Sequence, residues 1–298
     1  MEQGVLRTAV GRQPFKALLS MRLPTGLALA GLLALPVTTA AQWTQGATGK
    51  LWVKSVLFVQ KTDQRFTVIG DREPYFTNGE ADSKAVFTEF ILGLHPKVDL
   101  WVQVPYFDLT FRDDVQTLSK TGVGDVRAWL RWNITSLNGG STPISIRAGA
   151  KAPIGESPID SRKIPLGEGQ WDFEGFAEVG HSFWPAPVYA ILWLGYRLRL
   201  ENEEQFNDPG NEFVFLGEAG VNPTPGTFLK ATFDGFRGER IRRDGILTSS
   251  QRRIATLQFT GAVRTGPVWP EFGVRVPLSG QQFPAGVQFV FGASSQIR

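Results

Sequence analysis

From Lys50 onward, hydrophobic and polar positions alternate with a period of two, the pattern of strands whose two faces meet different surroundings. Over Gly124–Asn133, Val126, Ala128, Leu130 and Trp132 alternate with Asp125, Arg127, Trp129, Arg131 and Asn133. The same alternation sets Ile144, Ile146, Ala148 and Ala150 against Ser145, Arg147, Gly149 and Lys151. It sets Phe173, Gly175, Ala177 and Val179 against Asp172, Glu174, Phe176 and Glu178, and Leu192, Leu194, Tyr196 and Leu198 against Trp193, Arg197 and Arg199. Read along the whole chain, the pattern predicts twelve strands: 50–62, 83–95, 98–112, 122–134, 143–154, 169–181, 187–203, 211–221, 226–238, 252–264, 268–277 and 285–294. Most run well past the ~5–6 residues usual in soluble sheets and match the ~9–11 residues that carry a tilted strand across a bilayer.

The connections carry a second signal. Those after odd-numbered segments average about 12 residues and those after even-numbered ones about 4, as expected of long outer loops alternating with short periplasmic turns. Hydrocarbon leaves no backbone N–H or C=O without a partner, so the sheet must close on itself. The fold class predicted is all-β: a transmembrane, antiparallel, up-and-down β-barrel of about twelve strands, with both ends of the wall on the periplasmic side. Aromatics near strand ends (Trp52, Tyr106, Phe107, Trp132, Phe183, Trp184 and Trp269) are candidates for the interfacial girdles. Pro105 and Pro270 lie inside predicted strands, so bulges are expected there. After Phe289-Val290-Phe291 the chain turns polar, where barrels of this kind commonly end on an aromatic.

Ahead of the alternating region, Arg22 precedes an apolar run from Gly26 to Leu35, followed by Pro36 and the small residues Thr38, Thr39, Ala40 and Ala41. This three-part pattern reads as a signal peptide over 1–41 cleaved after Ala40 or Ala41, with Met21 an alternative start, and the barrel then occupies 42–298. The run is shorter than the ~20 residues a spanning helix needs. Arg7, Arg12, Lys16 and Arg22 against Glu2 account for the whole formal charge of +3, so the rest of the chain is neutral and lacks the basic excess of a nucleic-acid binder. With no cysteine there is no disulfide, thiolate metal site or Cys nucleophile.

Three stretches carry a family resemblance: Gly122-Val123-Gly124-Asp125, Lys151-Ala152-Pro153-Ile154-Gly155 and Gly167-Glu168-Gly169-Gln170-Trp171-Asp172. Together they resemble the outer-membrane barrels labelled as transporters of the meta-cleavage pathway of phenol degradation, a family distantly similar to the fatty-acid and aromatic-hydrocarbon channels. The motif match covers about residues 122–200. The resemblance implies a Gram-negative outer-membrane location and uptake of hydrophobic or aromatic small molecules, and brings no catalytic residues with it. The fatty-acid channels fold an N-terminal hatch into the lumen. Here only Gln42–Gly49 precedes the first strand, so closure is expected from inward side chains or from loops such as 63–82.

The polar half of the alternation makes Asp125, Arg127, Arg131, Arg147, Lys151, Asp172, Glu174, Glu178 and Arg197 the candidate lumen-lining residues. Their mixed signs argue against strong ion selectivity. Equally, such charges can simply hydrate and brace a narrow interior. Strand direction puts Asp125, Lys151 and Asp172 at one height, predicting a −, +, − row at the outer mouth with Arg127, Arg147 and Glu174 one step deeper. The leading functional reading is passive uptake of small molecules. The alternatives are a structural or adhesion barrel and, less favoured, an outer-membrane enzyme. His95 and His181 both precede periplasmic turns and no Gly-x-Ser-x-Gly elbow occurs, so no catalytic residue is assigned. No metal or organic cofactor is implied. The partners expected are the lipid bilayer and a small solute, not nucleic acid, and oligomeric state is not legible.

Overall fold

The computed structural model describes residues 48–160 and 162–297. The predicted signal peptide therefore lies outside the described residues, as does most of the short segment that follows it.

Twelve antiparallel strands close into a barrel. They are β1 (Leu51–Thr62), β2 (Glu80–His95), β3 (Val98–Arg112), β4 (in two pieces, Thr117–Val123 and Val126–Leu137), β5 (Thr142–Ala152) and β6 (Asp172–Ser182). The second half consists of β7 (Val188–Arg199), β8 (Glu212–Val221), β9 (Thr227–Arg243), β10 (Ile246–Val263), β11 (Val268–Gln281) and β12 (Gln288–Ile297). Each strand pairs with its neighbours in sequence, and β1 pairs with β12 from Leu51 opposite Ile297 to Gln60 opposite Gln288, which removes the last open edge.

The alternation decides the two faces. Val126, Ala128, Leu130, Ile144, Ile146, Ala148, Leu192, Leu194, Phe213, Phe215, Leu257 and Phe259 all lie on the outward face, and none is buried. Their charged and aromatic neighbours in sequence point inward and are buried. An apolar exterior around a polar interior is the inverse of a soluble sandwich and is what a hydrocarbon solvent selects.

Several expectations need correction. The segments 113–121 and 239–251 were expected as loops but are largely strand, so the β9–β10 connection is only Asp244-Gly245. Their own alternation keeps the ladder going above the membrane, where water tolerates either face. The polar end of the chain is likewise part of the wall: Gly292–Ile297 completes β12, with Ser294 inward opposite Lys54. Of the girdle candidates, Tyr106, Trp132, Phe183 and Trp184 are exposed, whereas Phe107 is wholly buried inside and Trp52 packs against the interior cluster. Strand parity, rather than nearness to a strand end, sets the face. At Pro105 the expected irregularity exists on the β4 side: the ladder passes from Tyr106 opposite Val123 to Gln103 opposite Arg127, one residue out of step, and Gly124 N–H donates to the Pro105 carbonyl. Pro270 pairs regularly with Ala293 because the ladder to β10 has already ended at Glu271. The bulge in β11 falls instead at Pro277 and Leu278.

The interior divides into two sectors. Along β1–β3 it is largely apolar toward the outer end, with Val56, Phe58, Phe87, Trp101, Phe107, Leu109 and Phe111 buried together, while Lys54, Glu89, Asp99 and Gln103 are buried nearer the other end. Phe87 meets both Phe58 and Phe107 edge-on. Outer segments close over this sector, contributing Phe66 and Tyr75 from 63–79, Ile164 and Leu166 from 153–171 and Phe283 from 282–287. From β4 round to β11 most of the charged residues are buried, interleaved with apolar ones such as Trp129, Phe176, Trp193, Val214 and Phe236.

Candidate functional site: an ion-paired barrel interior

All nine candidate lumen residues are buried, none more than 8% exposed. They fill the barrel rather than line an open bore. At the outer end the Lys151 ammonium stands 3.2 Å from Asp125 and 3.0 Å from Asp172. Register explains this and corrects the expected row: Asp172 is directly opposite Lys151 on β6, but on β4 it is Arg127, expected one step deeper, that stands opposite Lys151, and Asp125 reaches it on the diagonal.

A third carboxylate completes that cluster, and strand reasoning could not find it. Glu168 sits on the 153–171 connection, which turns back into the mouth. Its carboxylate takes Lys151 at 2.6 Å, Arg199 at 2.7 Å and Arg252 at 2.5 Å, so one loop side chain ties β5, β7 and β10 together. Burial alone would raise the Glu168 pKa, but the positive charges of Arg199, Lys151 and Arg252 outweigh it and hold the carboxyl well below its ordinary range. Asp125 fixes the same loop through backbone donors, accepting from Gly155 N–H at 3.0 Å and Glu168 N–H at 2.9 Å. Side chains at Gly155 and Gly167 would collide with the facing backbone, and one at Gly167 also with the Asp125 carboxylate. The three sequence stretches singled out above thus converge on one structure: a glycine-lined crossing held by Asp125, Lys151, Glu168 and Asp172.

The next layer centres on Glu174. It accepts from Arg127 at 2.8 Å, Arg197 at 2.6 Å and the Trp129 indole at 2.8 Å. Arg197 continues to Glu212, which also takes Arg199 at 2.9 Å. Arg199 and Glu212 join Glu168 and Arg252 as members of the network outside the nine. The signal for Arg199 was present in the β7 alternation, but a charge at a strand's outer end does not by itself report which way it is tied.

Nearer the periplasm, Glu178 pairs with Arg131 at 3.1 Å and Arg147 at 2.6 Å, and Arg131 lies 3.7 Å from Asp99. The Arg147 guanidinium is sandwiched between the Trp101 and Trp193 rings, 4.1 and 4.3 Å from their centroids. That stack reaches from β3 to β7 and, as cation–π contacts in a dry site, fixes the arginine more firmly than its ion pairs alone. Across the barrel, Asp234–Arg275 (2.5 Å), Glu218–Lys230 (3.0 Å) and Glu271–Lys54 (2.8 Å) repeat the pattern. Above the network a vestibule of about 280 Å³ opens to the outside, bordered by Ser157, Ile159, Lys163, Glu168, Arg243 and Arg252.

The histidines remain at the periplasmic rim, His95 accepting from Lys97 N–H and His181 hydrogen-bonded to Thr142 at 2.7 Å.

No protein-family model matches the chain, and no curated protein matches it. Among solved structures, an outer membrane channel from Pseudomonas putida F1 superposes with a TM-score of 0.75 at 14% identity, covering 87% of this chain and all of that one. The NanC porin superposes with a TM-score of 0.50 at 6% identity, covering 83% of this chain and all of that one. The fold of this chain is accordingly that of bacterial outer-membrane barrels.

Proposed function

We propose that the protein is a passive outer-membrane channel for small, hydrophobic or aromatic molecules. The observation that carries this reading is the asymmetry of the interior. Phe58, Phe87, Phe107 and Phe111 form an aromatic wall along β1–β3, and the segment closing it from outside, 153–171, is held largely by the side chains of Asp125, Lys151 and Glu168. An apolar solute gains from contact with that wall, and the charged sector opposite supplies the bracing that keeps a twelve-strand barrel from collapsing. The resemblance of the three glycine-rich stretches to the meta-cleavage-pathway barrels supports aromatic compounds as the solute class. In this state side chains fill the bore from the outer mouth down to its periplasmic half, since Lys151, Arg197, Arg275 and Trp101 are each at most 2% exposed, so passage requires the network to rearrange.

The test is paired. Conductance in planar bilayers and entry of a neutral monoaromatic compound into proteoliposomes are measured on the same preparation. Entry above protein-free liposomes supports the channel, with or without ionic current. Silence in both assays favours the second reading, a structural barrel, to which the density of buried ion pairs lends specific support.

A further inference from the structure

Several exposed charges at the outer rim come in pairs. Lys84 meets Asp108 at 3.4 Å, Lys61 meets Glu80 at 3.1 Å, Arg162 meets Asp160 at 3.1 Å and Lys120 meets Glu156. The outer ends of β9 and β10 instead bring like charges face to face. Arg237 and Arg253 stand directly opposite each other in the ladder, and Arg240 and Arg242 follow along β9, where the register twice shifts. Among the described residues none of the four has a carboxylate within ion-pairing distance. The nearby acids are otherwise engaged: Glu239 accepts from the Tyr196 hydroxyl at 3.1 Å and from Asn211, and Asp208, opposite Arg242, accepts from Gly210 N–H at 3.0 Å. The buried Arg253 Nε has no hydrogen-bond partner at all. Directly opposed like charges on a sheet destabilise it unless a counter-charge lies between them.

Position says where that counter-charge comes from. Arg237 shares its face with Phe233 and is flanked on β8 by Phe213, both about half exposed on the outward side. Arg253 shares the face of Leu257 and Phe259. Ile241 points inward to the vestibule, which leaves the exposed Arg240 and Arg242 on the outer side. Arg237 and Arg253 therefore sit immediately above the apolar belt, at headgroup height, with Arg240 and Arg242 further out along β9 where a bulky anionic headgroup extends. A soluble anion would find no use for the aromatic surface beneath, whereas a phosphorylated lipid offers phosphate to the arginines and acyl chains to Phe213, Phe215 and Phe233. Guanidinium groups bind phosphate bidentately, and two of them a ladder rung apart can share one.

We propose that the outer ends of β9 and β10 form a binding site for the phosphate groups of an outer-leaflet glycolipid. The probe is lipid A, compared with dephosphorylated lipid A, titrated into delipidated, detergent-solubilised full-length protein and counted by native mass spectrometry. Lipid A should bind at least ten-fold more tightly than its dephosphorylated form. R237Q/R253Q should weaken lipid A binding by about five-fold for each arginine lost, on the scale of one cation at a charged lipid surface. R240Q/R242Q, above the membrane wall, should show the same direction and gives the reading independently of whether the first variant assembles. K61Q, which breaks a paired site, should bind as the parent does. Equal binding of the two lipids by the parent protein, or parental affinity in folded R240Q/R242Q and R237Q/R253Q, overturns the site.

Discussion

The Trp129 indole N–H donates to Glu174 Oε2 at 2.8 Å, although a whole strand separates β4 from β6. The residue between them on β5 is Gly149, opposite Trp129 on one side and Glu174 on the other. The missing side chain is the gap through which the bond passes, and a Cβ there would run into the Ala128 carbonyl and the Trp129 ring.

Gly149→Val closes that gap. It should destabilise the barrel by about 1–3 kcal/mol through overpacking, with a further loss where Glu174 gives up a neutral donor. The temperature at which the compact unheated band disappears on a denaturing gel reads this directly. An unchanged temperature would mean that the wall bends away at no cost and that the indole bond is dispensable.

Lys151→Met removes the one cation shared by Asp125, Glu168 and Asp172, of which Asp125 and Asp172 are buried and Glu168 nearly so. Breaking a buried pair by deleting one partner typically costs ~3–5 kcal/mol. Urea unfolding should show that loss. The companion variant Lys61→Met, at an exposed pair, should change stability by less than about 1 kcal/mol. Equal effects from the two would place Lys151 in a wetter site than its burial indicates.

How much of this was legible in the chain follows from what each residue answers to. Val126–Trp132 and Tyr189–Arg199 showed their faces in sequence because lipid on one side and charge on the other enforce a strict period of two. The Asp125–Lys151–Asp172 cluster was legible from strand direction, while its register was not: Arg127 rather than Asp125 stands opposite Lys151, and the long lysine stem reaches Asp125 on the diagonal. Glu168 was not, because its position depends on how a long loop folds back over Gly155 and Gly167, and no periodicity governs that path. Phe107, Leu109 and Phe111 concealed the apolar sector for a different reason: they alternate with Asp108, Thr110 and Arg112, so at this outer end the contrast is inverted, apolar inward and polar outward, and parity read against a lipid exterior assigns the wrong face.

The lipid-facing assignment of β7 predicts a depth dependence. Leu194, at mid-strand, points outward, so Leu194→Arg should cost ~2–4 kcal/mol, while Leu200→Arg beyond the outer end of the strand should cost only ~0–1 kcal/mol. Folding into vesicles across a denaturant series separates the two. A large penalty at Leu200 would move the membrane boundary outward. None at Leu194 would place that face in water and contradict the barrel's orientation of its strands.

Acid should release the loop, and the sign of the Glu168 shift fixes when. Its carboxyl titrates well below the ordinary value of 4.5 because Arg199, Lys151 and Arg252 overcome the opposing effect of burial. A depressed folded-state pKa contributes stability that is fully present above the ordinary value and is lost only as pH falls through the folded one. The 153–171 crossing should therefore resist protease and keep its conductance level from neutral pH down to about 4.5, then open in more acidic buffer. Glu168→Gln should carry the acid behaviour to neutral pH: it removes the negative charge permanently and leaves three cations facing one another, so the loop should be cleaved readily and the current should shift toward anions. With the carboxylate gone, the remaining acid response should flatten. A full acid transition persisting in Glu168→Gln would assign the latch to Asp125 or Asp172 instead, and a wild-type transition beginning well above pH 4.5 would show that the three cations do not hold Glu168 as their distances require.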